Sequence, residues 1–124
     1  MTMKKIALLF PGQGSQSVGM GRDAAARSAA AQSLFNQADI QLGFALSSLC
    51  FEGPEEELKR TETTQPALFA ASAATLAVLA DAGIRPWAVA GHSLGEYTAL
   101  YAAGTFTYAE GLALVRTRGL AYAD

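Results

Sequence analysis

Residues 86–104 read PWAVAGHSLGEYTALYAAG, and within them Gly91-His92-Ser93-Leu94-Gly95 sets a serine between two glycines. The short apolar run 86–91 predicts a buried strand, and SLGEYTALYAAG predicts a helix that begins at Ser93. A Gly-x-Ser-x-Gly run between a strand and a helix is the pattern of a nucleophile elbow. The turn lifts the serine hydroxyl clear of the sheet. Gly91 and Gly95 let the incoming strand and the outgoing helix pass close together. The first turn of the helix aims free N–H groups and the positive end of its dipole at the serine, as an oxyanion requires in acyl transfer. A lone Gly-x-Ser-x-Gly arises by chance; here the flanking elements are the ones the chemistry needs. Ser93 is therefore the candidate nucleophile, with the Leu94 N–H as a donor.

His92, the single histidine, sits beside Ser93. In an elbow the preceding side chain is directed away from the nucleophile. A base must come within about 2.6–3.2 Å of the serine oxygen, which an adjacent residue seldom does. His92 is expected to be a packed, hydrogen-bonded structural residue, leaving the 124 residues without a competent base.

Upstream, KIALLF (residues 5–10) predicts a second buried strand, closed by PGQG. Helices are expected over GRDAAARSAAAQSLFNQADIQLG and ALSSLCFEG, broken near Gly43 and Gly53, and over PEEELKR. A long helix is expected over TTQPALFAASAATLAVLADAG, with Thr64 as its cap and Gly83 just past its end. A last helix, TYAEGLALVRTRGLAYAD, is expected to be interrupted at Gly111 and Gly119. Strand, helices, strand, helix, helix is an α/β order with parallel strands. Two strands make too small a parallel sheet to be covered on both faces. The chain therefore reads as part of a larger domain, with apolar surface exposed where further strands would pair.

The loop Phe10–Gln16, FPGQGSQ, follows the first strand. It lacks the third glycine of a dinucleotide fingerprint and the lysine of a phosphate loop. Two readings remain: a plain turn with solvated glutamines, or a loop pressed on the elbow that brings Gln13, by side chain or backbone N–H, to the oxyanion. Arg116 and Arg118 lie two apart on the last helix, so at most one faces Ser93. An arginine there would suit a carboxylated acyl group, because its planar fork matches a carboxylate; on pattern alone, solvated arginines are the commoner case.

Composition excludes other classes. A net charge of −2 gives no basic face for nucleic acid. Cys50 is the single cysteine, so neither an internal disulfide nor a Cys/His metal cluster can form, and a cytoplasmic setting is expected. The apolar run 66–80 falls short of the roughly 20 residues that span a bilayer, so no membrane role is expected. The apolar run 6–10 is shorter than the roughly 7–15 residues of a signal-peptide core.

Taken together, FPGQGSQSVGMG, TTQPALFA and GHSLGEYTAL, followed by Arg118-Gly119, resemble the malonyl-CoA:acyl-carrier-protein transacylase family across essentially the whole chain. The resemblance implies an α/β-hydrolase-like subdomain with a ferredoxin-like subdomain inserted in it. Residues 1–124 would be the N-terminal part of the first, the second being absent from this chain. It implies that Ser93 takes a malonyl group from coenzyme A as an ester and passes it to the thiol of the acyl carrier protein, in fatty-acid biosynthesis. Gln13 and the Leu94 N–H would form the oxyanion hole, and Arg118 would hold the malonyl carboxylate. Malonyl-CoA would be a substrate, with no cofactor and no metal. The family's base is a histidine expected in a missing C-terminal portion of the same enzyme, and the isolated chain is expected to be inactive. The acyltransferase domain of a polyketide synthase and a serine hydrolase are the alternatives.

Overall fold

The computed structural model describes residues 4–123. Its elements are β1 (Ala7–Phe10), α1 (Arg22–Arg27), α2 (Ala29–Leu42), α3 (Leu46–Glu52), α4 (Glu55–Leu58), α5 (Thr61–Asp81), β2 (Ala88–Gly91), α6 (Gly95–Ala102) and α7 (Tyr108–Tyr122). The architecture is α/β and helix-rich, with a small parallel sheet. β1 pairs with β2 in register from Ala7 opposite Ala88 to Phe10 opposite Gly91. Both strands thus end side by side, and the loops that leave them, FPGQG and GHSLG, meet at one end of the sheet.

The centre of the molecule is α5, packed chiefly on α7 and α2 and also on α6. From Thr63 to Ala71 every residue of α5 is buried, polar ones included. Around it, and around its own Phe69, sit Phe35, Leu46, Leu58, Leu94, Leu112 and Val115, all inaccessible to solvent. With 21 residues and a mean hydropathy of 1.3, α5 has the length and composition of a membrane span, longer than the apolar run alone indicated. Inside this fold, 61% of its most apolar 18-residue window is buried. The sheet is less covered: Leu9 on β1 is 78% exposed and Trp87, just before β2, 67%.

Several sequence expectations are corrected. The strands are shorter than 5–10 and 86–91 by two residues at their N-terminal ends. The first long helix is broken at Ser28, whose extended backbone caps α2. Its Oγ accepts from the Ala31 N–H and donates to Asp81 Oδ2 at 2.6 Å, a partner that local pattern does not reveal. Thr64 is not a cap: α5 begins at Thr61, and the buried Thr64 hydroxyl donates instead to the Leu58 carbonyl. Gly83 does lie just past the end of α5, at φ 80°.

The last helix is continuous through Gly111 and Gly119. Each glycine costs about 1 kcal/mol of helix propensity, yet both mark close approach to α5. A Cβ on Gly111 would lie 2.4 Å from Cζ of Phe69, and one on Gly119 3.0 Å from Cα of Glu62. Thr107 opens α7 with a capping box, its Oγ1 accepting from the Glu110 N–H while Glu110 accepts from the Thr107 N–H. Those hydrogen bonds hold the Glu110 carboxyl below its ordinary range.

Candidate active site

The elbow begins where β2 ends. Ser93 has φ 55°, the one positive φ outside glycine among the described residues. A left-handed backbone costs a serine about 1–2 kcal/mol, and strain of that kind persists where surrounding contacts fix it. The glycines show how. A Cβ on Gly91 would stand 1.9 Å from the Gly95 carbonyl oxygen; one on Gly95 would stand 2.2 Å from that of Phe10. The strand end, the first turn of α6 and the end of β1 are therefore stacked backbone on backbone. Backbone hydrogen bonds fasten the turn: Gly95 N–H to the His92 carbonyl at 2.9 Å, and Glu96 N–H to that of Ser93 at 3.0 Å. The helix starts at Gly95 rather than at Ser93, because the serine occupies the left-handed turn. Leu94, fully buried, anchors the turn from below. Among the described residues no protein acceptor takes the Leu94 N–H.

The glycine-rich loop does press on the elbow. A Cβ on Gly12 would lie 2.5 Å from the His92 carbonyl oxygen and 3.4 Å from the Ser93 Cβ. The Gln13 side chain, however, donates through Nε2 to Thr61 Oγ1 at 3.0 Å. It is tied to the start of α5 and not directed at Ser93. The backbone N–H of Gln13 makes no hydrogen bond among the described residues.

His92 departs from expectation in one respect. It makes no hydrogen bond to Ser93, as expected of the residue before the nucleophile, but its side chain is exposed rather than packed. The elbow turns it onto a face that no described element covers.

Arg118 is the side chain that reaches the serine. Its Nη2 lies 3.3 Å from Ser93 Oγ, and its Nη1 donates to Gln65 Oε1 at 2.9 Å. The guanidinium also stands 5.4 Å from the Tyr97 ring centre and 4.7 Å from that of Tyr122, within cation–π range. Arg116 points the other way. Its Nη1 donates at 2.7 Å to the Glu62 carbonyl, the acceptor that Pro66, lacking an N–H, leaves free inside α5. One arginine thus faces the serine, and the other completes the hydrogen bonding of a helix.

Gln65, Tyr97 and Tyr122, which surround the Arg118 guanidinium, are not identified from sequence. Gln65 lies in TTQPALFA, where a polar residue in an otherwise apolar run is the available signal. Tyr122 carried no signal, since its place under Arg118 depends on α7 running unbroken to that point.

The acyl transferase domain family matches residues 7–123, nearly the whole chain. The chain belongs to the acyl transferase domain family. Among curated relatives, the malonyl CoA-acyl carrier protein transacylase of Bacillus subtilis strain 168 is 51% identical over 117 residues, which are 94% of this chain and 37% of that protein. Among solved structures, the malonyl-CoA:ACP transacylase of Synechocystis sp. PCC 6803 is 48% identical with a TM-score of 0.91, covering 97% of this chain and 40% of that one. A malonyl-transacylase in complex with a type II polyketide-synthase acyl-carrier protein is 45% identical with a TM-score of 0.88, over 94% of this chain and 38% of that one. This acyl transferase chain thus spans less than half the length of each.

Proposed function

We propose that the full-length protein is an [acyl-carrier-protein] S-malonyltransferase, a cytoplasmic enzyme of fatty-acid biosynthesis. In this reading residues 1–124 are the N-terminal part of an α/β-hydrolase-like subdomain, and a ferredoxin-like subdomain lies outside them. The observation that carries the proposal is the guanidinium of Arg118 placed 3.3 Å from Ser93 Oγ. A serine set for acyl transfer with a carboxylate-binding group beside it suits an acyl chain that ends in a carboxylate.

The chemistry needs no cofactor. Ser93 Oγ attacks the thioester carbonyl of malonyl-CoA while a base takes its proton. The Leu94 N–H and the Gln13 backbone N–H receive the developing oxyanion, a contribution of about a hundredfold to a thousandfold in rate for each donor. The C–S bond then breaks and coenzyme A leaves as the thiol, carrying the proton. The carrier-protein thiol attacks the resulting ester, the new C–S bond forms, and Ser93 recovers its proton. His92 is exposed and makes no bond to Ser93, so the base belongs to residues outside those described. An ester oxygen accepts more weakly than a hydroxyl, so acylation frees Nη2 of Arg118 for the malonyl carboxylate.

The test is Arg118→Ala in the full-length protein, with malonyl-CoA and acetyl-CoA as alternative donors. Losing the charged contact lowers malonyl transfer about tenfold to a hundredfold more than acetyl transfer. An equal fall for both donors would sink the reading of Arg118 as the carboxylate clamp. A second pathway setting is favoured by the similarity to a transacylase crystallised with a polyketide-synthase carrier protein; comparing transfer rates to the two kinds of carrier protein distinguishes it. Hydrolysis of malonyl-CoA in preference to transfer would instead indicate a serine hydrolase.

A further inference from the structure

Gln65 is fully buried in the first half of α5. Its Oε1 accepts from Arg118, while its Nε2, also buried, has no hydrogen-bond partner among the described residues. A buried donor without a partner destabilises the fold, because it loses its hydrogen bond to water and gains none in return. A leucine or methionine of similar size would avoid that cost, so packing alone does not account for a glutamine here. What the glutamine adds is one neutral acceptor, 2.9 Å from the Arg118 guanidinium.

An arginine side chain is long and loses rotamer freedom when it is fixed. At this site the fixing is done before the acyl group arrives. Gln65 holds one Nη, the guanidinium lies over the rings of Tyr97 and Tyr122, and the other Nη reaches Ser93. The charge of the acceptor matters as much as its position. A glutamate would hold the guanidinium more tightly, but it would supply a carboxylate of its own and compete with the one on the substrate. A neutral amide leaves the positive charge unspent for the acyl group.

We infer that Gln65 is a positioning residue that orients Arg118 toward Ser93 while leaving its charge available, and so sets the preference for a carboxylated acyl group. The inference rests on the reading of Arg118 as the carboxylate clamp.

The experiment uses the full-length protein and measures kcat and KM for malonyl-CoA and acetyl-CoA, with carrier protein as acceptor. The variants are Gln65→Met, Gln65→Glu, Arg118→Ala and the double variant Gln65→Met/Arg118→Ala. Gln65→Met is expected to lower the malonyl-to-acetyl ratio of kcat/KM about tenfold. In the Arg118→Ala background the same change should leave the ratio within about twofold, because Gln65 acts through Arg118. Gln65→Glu should raise KM for malonyl-CoA without a parallel rise for acetyl-CoA. If Arg118→Ala lowers the ratio but Gln65→Met does not, this inference fails while the proposed function stands. If Arg118→Ala leaves the ratio unchanged, the clamp reading fails and takes this inference with it. Should Gln65→Met not fold, Gln65→Glu decides by keeping shape and acceptor, and an unchanged malonyl-CoA KM overturns the inference.

Discussion

Replacing Gly91 by alanine tests how the elbow is held. Gly91 does not lie in the left-handed region, so the substitution adds no backbone strain; its whole effect is steric. The new Cβ would meet the Gly95 carbonyl oxygen at 1.9 Å, its carbon at 2.1 Å and the Glu96 nitrogen at 2.6 Å, all backbone atoms that cannot swing aside. Restoring an ordinary contact requires the first turn of α6 to retreat by about 1.5 Å. Gly95 is itself pressed on Phe10, so the retreat also opens the end of β1. Overpacking of this kind costs about 1–3 kcal/mol, and a misplacement of about 1 Å at the reacting atom costs about a hundredfold in rate. The assay pairs urea denaturation with kcat/KM for malonyl transfer in the full-length protein. Gly83→Ala is the control, at φ 80° with nothing within 4 Å of its Cβ; it should cost about 1 kcal/mol of backbone strain and leave transfer unchanged. If Gly91→Ala kept both the denaturation midpoint and the rate, the stacked-backbone account of the elbow would be refuted.

Further outcomes follow from the same contacts. Gly111→Ala should destabilise by about 1–3 kcal/mol despite its gain in helix propensity, because Phe69 is fully buried and stacked on Tyr108 at 5.6 Å and cannot yield; a raised urea midpoint would contradict this. Thr107→Ala should cost about 1 kcal/mol through loss of the capping box, and an unchanged midpoint would show that the cap contributes nothing. Burial, with Asp39 as the lesser cause, pushes the Cys50 thiol from 9.0 up to about 12. Below the lower value folded and unfolded states both keep the proton. Between the two values the unfolded thiol ionises first, so stability should fall as pH rises through that window. At mildly alkaline pH iodoacetamide should therefore label Cys50 in urea but not in the native protein; equal labelling in both would refute the burial argument.

The parts legible in sequence were the ones whose cause is local. Gly91, Ser93 and Gly95 announce the elbow because close backbone approach needs glycines at that spacing, and the strand before and the helix after are short-range signals. The choice between Arg116 and Arg118 was half legible: helical periodicity separated their faces, but which face meets Ser93 depends on how α7 lies against α5. Gly111 and Gly119 were misread as breaks because a glycine in a helix looks the same whether it ends the helix or admits a neighbour. Gln65 and the Gln13–Thr61 contact depend on pairings across 53 and 48 residues. The break at Ser28 likewise waits on Asp81, 53 residues away. Long-range partners of this kind leave no trace in a local pattern.

The most direct test of the central claim is to mix the full-length protein with malonyl-CoA, quench in acid, digest, and read the acylated peptide by mass spectrometry. The account predicts one malonyl ester, located on Ser93, which disappears when carrier protein is added and is absent from Ser93→Ala. Transfer to the carrier protein with Ser93 never acylated, or an ester on any other residue, would contradict it.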